Sequence, residues 1–153
     1  MIEISKTIQT KASPARVLDF FSNFGEHFVE IWPEAHQEYE ITSEGPMGVG
    51  TTFRTVQTIK GRKMSSRGVV TKVEPGGFAW RGIPPLVAGG HRYRPLPEGG
   101  TEITQFIQYG PPWPVIGAVV LFLMQMVAVT RSDMEKHLDE EMRRLQQALE
   151  AEE

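Results

Sequence analysis

The sequence contains no cysteine among its 153 residues. This excludes disulfide bonds, thiolate metal ligands and cysteine nucleophiles, and it suits a reducing compartment. The chain also lacks a strong positive charge, because 16 Lys and Arg residues are outnumbered by 19 Asp and Glu residues, for a net charge of −3. Nucleic-acid binding requires a dense basic surface, so we expect no nucleic-acid partner.

The start of the chain does not have the pattern of a secretory signal, which is basic and then apolar, because Glu3 is already acidic. We therefore expect a cytoplasmic protein. One apolar run, Trp113–Val129, carries no charge over 17 residues. A membrane-spanning helix needs about 20 apolar residues, and this run is interrupted by Pro114 and Gln125. These features favour a buried helix, with membrane contact as the alternative.

Alternation of apolar and polar residues predicts a sheet. In Ile2–Thr10 the isoleucines share one parity and polar residues occupy the other, which indicates a half-buried strand. Turn residues then recur about every ten positions, as in an antiparallel meander. Six further strands are predicted at Glu38–Glu44, Thr51–Ile59, Met64–Glu74, Phe78–Gly82, Gly89–Leu96 and Thr101–Tyr109.

The helices are predicted near the two ends of the chain. Ser13 followed by Pro14 is typical of a helix start, and a second short helix or turn is expected at Phe28–Pro33. Apolar residues spaced by three and four predict a long helix over Gly117–Leu149. The segment Ser132–Glu135 matches a capping box, which marks a bend or a new helix start, although Ser132 could equally be a plain exposed residue.

Several short motifs resemble, in order and spacing, those of the START-like SRPBCC superfamily of polyketide cyclase/dehydrase and lipid-transport proteins. They are Ser13–Phe21, Trp32-Pro33, Gly48–Thr51, Val73–Pro75 and Gly99–Thr101. The likeness extends over nearly the whole chain, consistent with a single domain over residues 1–153. It implies an α+β helix-grip fold, in which a seven-stranded curved antiparallel sheet wraps around the C-terminal helix and encloses a cavity. It further implies binding of a hydrophobic small molecule, such as a lipid, polyketide or aromatic compound.

Strand parity selects the side chains expected to point inward. With the resemblance, it gives these candidate ligand-binding residues: Trp32, Phe53, Gln57, Trp80, His91, Tyr93, Gln105, Tyr109, Leu123 and Met126. The alternatives are that the tryptophans simply fill the core and that the glutamines point outward. If buried, a glutamine amide needs a polar partner, which would be a ligand group or water.

His91 is the candidate for acid–base chemistry, because an imidazole titrates near neutral pH. Tyr93 lies two residues along the same face and is its candidate helper. A structural histidine is the alternative for His91. His27 and His36 raise the question of a metal, but they are nine positions apart and form no tight ligand signature. We therefore expect neither metal nor cofactor.

Three functions remain open from the sequence. The leading hypothesis is a binder or carrier of a hydrophobic molecule, acting as a monomer or homodimer. The second is a cyclase- or dehydratase-like enzyme that uses His91 with Tyr93 or Tyr109. The third is a membrane-contact protein that uses Trp113–Val129.

Overall fold

A computed structural model describes residues 2–110 and 130–151 of the chain. The predicted wall residues Leu123 and Met126, the apolar run Trp113–Val129 and the start of the predicted helix at Gly117 lie outside these described residues. No helix within the described part is long and apolar enough to cross a membrane.

The described residues form seven strands and three helices. In chain order these are β1 (Ile2–Thr10), α1 (Pro14–Ser22), α2 (Phe24–Glu30), β2 (His36–Ile41), β3 (Thr52–Ile59), β4 (Arg62–Glu74), β5 (Gly77–Gly82), β6 (Val87–Pro95), β7 (Thr101–Tyr109) and α3 (Arg131–Glu150). This confirms the predicted α+β class and the curved seven-stranded antiparallel sheet.

The sheet order is β1-β7-β6-β5-β4-β3-β2, with every neighbouring pair antiparallel. Strands β1 and β2 follow each other in the chain but lie at opposite edges of the sheet. The connection that carries α1 and α2 must therefore cross the width of the sheet, which positions these helices at one end of its concave face.

Helix α1 begins as predicted. The Ser13 side chain accepts a hydrogen bond from the Arg16 amide at 3.2 Å, and Pro14 occupies the first turn. Helix α2 begins at Phe24, so the predicted range Phe28–Pro33 was too late. The reason is local: the Asn23 amide still donates to carbonyls of α1, and no side chain caps the start of α2.

Strand β2 begins and ends earlier than predicted. Its first residue is His36, whose amide donates to the Trp32 carbonyl at 2.7 Å and so closes the turn after α2. Beyond Ile41 the Thr42 amide still donates to the Thr52 carbonyl at 2.8 Å, but at the next position a side chain replaces the backbone, because the hydroxyl of Ser43 accepts a hydrogen bond from the Thr52 amide at 3.0 Å. The regular ladder therefore stops short of Glu44.

Helix α3 starts at a capping box formed by Thr130 and Asp133, not by Ser132. The Thr130 hydroxyl accepts from the Asp133 amide at 3.2 Å, and the Thr130 amide donates to the Asp133 carboxylate at 3.0 Å. A new helix start near this point was expected, but the capping residue was placed two positions too late. The exposed Ser132 lies in the first turn.

The main core lies between α3, α1 and the β1–β7 side of the sheet. Helix α3 packs chiefly against β1. The buried side chains of this core are Ile4, Ala12, Val17, Phe20, Phe21, Ile103, Leu138, Met142, Leu145 and Leu149. Over the part of the concave face formed by β3, β4 and β5, no such packed core is formed by the described residues. The cavity lies over this part of the sheet.

Candidate functional site: a cavity on the concave face of the sheet

The described residues line a cavity of about 540 Å³. Small-molecule sites in proteins usually measure about 300–1,000 Å³. The apolar part of the wall comes mainly from residues of the sheet and includes Ile4, Phe53, Ile59, Phe78, Trp80 and Ile107. Helix α3 adds Arg131, Met134 and Glu141. The cavity therefore has the size and the mostly apolar character of a ligand site.

Two glycines allow large rings to lie flat on the sheet. The Phe53 ring covers Gly68, where an added Cβ would overlap it, and the Trp80 ring comes within 2.8 Å of the position of a Cβ on Gly89. The two rings meet edge to face at 5.9 Å, and Tyr39 stacks on Phe53 at 5.5 Å. These contacts build a continuous aromatic wall.

Polar groups of the sheet and of the α3 region interrupt the apolar wall, and they include the charged residues Arg67 and Arg131. Thr55 and Ser66 share a hydrogen bond of 2.8 Å across β3 and β4, and Gln57 lies one step further along the same face. On β7, Gln105 donates from Nε2 to Oε1 of Glu141 at 3.0 Å, and its own Oε1 has no hydrogen-bond partner among the described residues. Such isolated polar groups can orient a ligand that is otherwise held by apolar contact.

His91 lies in the wall on β6, with 4% of its surface exposed. Its ring is 4.4 Å from that of Phe21. Burial lowers the pKa of His91 to about 3. The imidazole is therefore neutral at physiological pH, where it can donate or accept a hydrogen bond but is a weak base.

Tyr109 closes the wall near the end of β7. Burial, followed by the nearby Glu135 carboxylate, raises the pKa of its hydroxyl above the ordinary value of tyrosine. This hydroxyl has no hydrogen-bond partner within residues 2–110 and 130–151. A neutral phenol in this position can donate a hydrogen bond to an oxygen of a bound molecule.

The structure brings six of the predicted site residues together in this wall: Phe53, Gln57, Trp80, His91, Gln105 and Tyr109. Tyr93 lies elsewhere, stacked on Phe21 at 5.6 Å where α1 covers the sheet. Trp32 also lies outside the wall, stacked on His137 at 4.6 Å.

Sequence reasoning missed the contribution of α3. Glu141 lies three residues after Leu138 and four before Leu145, on the stripe that packs against the sheet. A charged residue on an otherwise apolar face of a helix indicates a buried polar group, and this signal is present in the sequence. His137 stands one turn before Glu141 and carries the same signal.

A second polar cluster adjoins the cavity behind Glu141. Atoms of His36, His137 and Glu141 that could serve as metal ligands all lie within 4.8 Å of one another. Burial lowers the pKa of His36 to about 4, lowers the pKa of His137 and raises the pKa of Glu141. Two neutral imidazoles and a carboxyl group form a donor set that divalent metals accept.

The fold and its cavity define the START-like class of helix-grip proteins. Residues 1–150 match the sequence family described as polyketide cyclase/dehydrase and lipid transport, and the chain belongs to that family. A search of curated protein sequences gave no significant match.

Solved structures show the same fold at low sequence identity. A START superfamily protein from Mycobacterium smegmatis has a TM-score of 0.70 and 16% identity, with 99% of each chain covered. The ZhuI aromatase/cyclase from Streptomyces sp. R1128 has a TM-score of 0.69 and 17% identity, covering 99% of this chain and 92% of that one. A protein from Thermus thermophilus has a TM-score of 0.71 and 18% identity, with 98% of each chain covered. At these identities the likeness establishes the fold alone.

Proposed function

We propose that the protein binds a hydrophobic small molecule of aromatic or polyketide type in the cavity between the sheet and α3. The observation that carries this proposal is the space of about 540 Å³ that is walled by the contacting rings of Tyr39, Phe53 and Trp80. Aromatic rings attract other rings through offset and edge-to-face contacts, in addition to the gain from apolar burial. This wall favours a flat, ring-containing ligand over a single flexible chain.

The polar groups narrow the ligand class further. Gln105 has a carbonyl oxygen and Tyr109 a hydroxyl without hydrogen-bond partners in the described part of the chain. Each unsatisfied polar group costs free energy in an apolar site, and a ligand with matching groups relieves that cost. The ligand we propose therefore carries a carbonyl oxygen for the Tyr109 hydroxyl and a hydroxyl group for the Gln105 carbonyl.

Binding can be tested by fluorescence titration with a naphthalene dye, followed by displacement with fatty acids and with hydroxylated aromatic compounds. We expect one saturable site, displaced more strongly by the hydroxylated aromatics. Trp80→Phe removes part of the aromatic wall and should weaken dye binding. Trp32→Phe serves as the matched tryptophan control, because Trp32 lies outside the wall. A protein that shows no saturable site would contradict the proposal.

Catalysis is the second candidate, and the position of His91 in the cavity wall favours it. The family description includes cyclases and dehydrases. With a pKa of about 3, a neutral His91 would polarise a substrate carbonyl by hydrogen bonding more readily than it would remove a proton. This role predicts that His91→Ala abolishes turnover of a poly-β-ketone substrate while dye binding persists. Equal turnover in the variant and the native protein would eliminate it.

A further inference from the structure

We propose that His36, His137 and Glu141 form a binding site for a divalent transition metal of the zinc class. The three residues come from distant parts of the chain, since His36 opens β2 and the other two lie one turn apart on α3. All three side chains are buried, with exposed fractions of 0%, 8% and 5%. Their potential ligand atoms lie within 4.8 Å of one another.

The hydrogen bonding of His36 determines which of its nitrogens is available. Nδ1 lies 2.7 Å from the carbonyl oxygen of Phe28, and because a carbonyl only accepts, Nδ1 must donate. Nε2 of the neutral ring therefore carries a lone pair. This nitrogen is buried and has no hydrogen-bond partner among the described residues. A backbone carbonyl on the second nitrogen is one of the usual outer partners of a metal-bound histidine.

The other two groups add a second buried nitrogen and a hydrogen-bonded carboxyl group. Nε2 of His137 is also buried without a hydrogen-bond partner in the described part of the structure. Gln105 donates to Oε1 of Glu141 at 3.0 Å, as an outer hydrogen bond to a ligating carboxylate would. The cluster thus contains two orphaned nitrogens beside a supported carboxyl group, and a bound cation would satisfy all three.

Aromatic stacking fixes both imidazole rings. Phe28 stacks on His36 with the ring centres 3.9 Å apart, and Trp32 stacks on His137 at 4.6 Å. Restricted rings lose little conformational freedom on binding a metal. Trp32, which the sequence suggested as a ligand-binding residue of the cavity, is thereby placed as a positioning residue of this cluster.

The distances suit a small ion after a modest adjustment. Bonds of about 2.0–2.2 Å in a tetrahedral site place ligand atoms about 3.4 Å apart. Because the potential ligand atoms lie within 4.8 Å of one another, metal binding requires them to move closer together by at most about 1.4 Å.

Arg144 is the cationic side chain that acts on His36, and it lies over Trp32 and is paired with Glu140 at 2.7 Å. This ion pair reduces the repulsion that Arg144 would exert on a metal ion.

Two imidazole nitrogens and one carboxylate oxygen are the ligands of many zinc sites that keep a fourth position open. Glu141 also lines the cavity, so the metal site adjoins the space proposed for the ligand. The metal proposal does not depend on that function, because its evidence lies in the three side chains and their supports.

The test uses the full-length protein, stripped with a chelator and titrated with Zn²⁺ by calorimetry and with Co²⁺ by visible absorption. We expect one metal ion per chain and the intense visible bands of four-coordinate Co²⁺. Glu141→Gln keeps the acceptor for Gln105 but removes the charge, and should weaken Zn²⁺ binding by more than roughly 100-fold, since loss of an outer partner alone costs about 10–100-fold.

His27→Ala is the matched control, because His27 is a histidine outside the cluster, paired with Glu30 near the surface. This variant should bind Zn²⁺ as the native protein does. His36→Ala should lose binding, and if it fails to fold, Glu141→Gln alone decides the matter. Equal binding by Glu141→Gln and the native protein, or no saturable binding by the native protein, would overturn the proposal and leave only a buried hydrogen-bonding cluster.

Discussion

Gln105 on β7 donates a hydrogen bond of 3.0 Å to Glu141 on α3, and both side chains are buried. This contact joins the sheet to the helix at the boundary between the cavity and the histidine cluster. Burial raises the pKa of the Glu141 carboxyl group above its ordinary value, and this hydrogen bond offsets part of that effect.

Gln105→Ala should destabilise the protein by about 1–3 kcal/mol, because it leaves the buried Glu141 without its donor. Gln108→Ala is the matched control on the same strand, since Gln108 donates to Glu3 in an exposed pair at 2.8 Å. The control should change stability by less than about 0.5 kcal/mol. Urea unfolding measures both variants, and equal losses would show that the contact with Glu141 contributes nothing specific.

His91 should make the fold sensitive to acid. Its pKa is about 3 in the folded protein and 6.5 as the ordinary value, so below pH 6.5 the unfolded chain takes up a proton that the folded chain does not. Stability should therefore be complete above pH 6.5 and fall by up to about 1.4 kcal/mol for each pH unit towards pH 3.

His91→Gln should remove this part of the pH dependence. Unfolding measured at about pH 7 and at about pH 4.5 should show a smaller difference for the variant than for the native protein. The comparison between the two proteins separates His91 from the other buried histidines, which remain in both. An unchanged difference would mean that His91 is protonated in the folded state.

Gly68→Ala should disturb the aromatic wall, because the added Cβ would overlap the Phe53 ring. The ring must move into the cavity, so dye binding should weaken and stability should fall by about 1–3 kcal/mol. Gly48→Ala is the control, since a Cβ there meets only the Pro46 carbonyl oxygen, at 4.0 Å. Unchanged dye affinity in Gly68→Ala would show that the ring is not part of the binding surface.

Thr130→Ala should remove the cap of α3 and cost about 1 kcal/mol. Ser132→Ala should have little effect, because Ser132 lies in the first turn and is exposed. Thermal unfolding of the two variants distinguishes the observed cap from the one expected from the sequence. A greater loss in Ser132→Ala would restore the sequence-based assignment.

Local pattern was sufficient for the presence of the seven strands, for the ends of β1 and β7 and for the start of the first helix. Alternation predicted β1 and β7 with their observed ends, and Ser13 before Pro14 marked the start of α1. These features depend only on residues that are close together in the chain, so periodicity and capping preferences are enough to predict them. The motifs of the family added the element order and the expectation of a cavity.

The histidine cluster was decided by tertiary structure. His36 and Glu141 are 105 positions apart in the chain, and nothing in their local spacing links them. They meet because the helical connection carries the chain across the sheet to β2 while α3 returns over the same concave face. Local periodicity determines which side of a helix or strand a residue occupies. The packing of whole helices and strands determines which residues from the rest of the chain come to lie against that side.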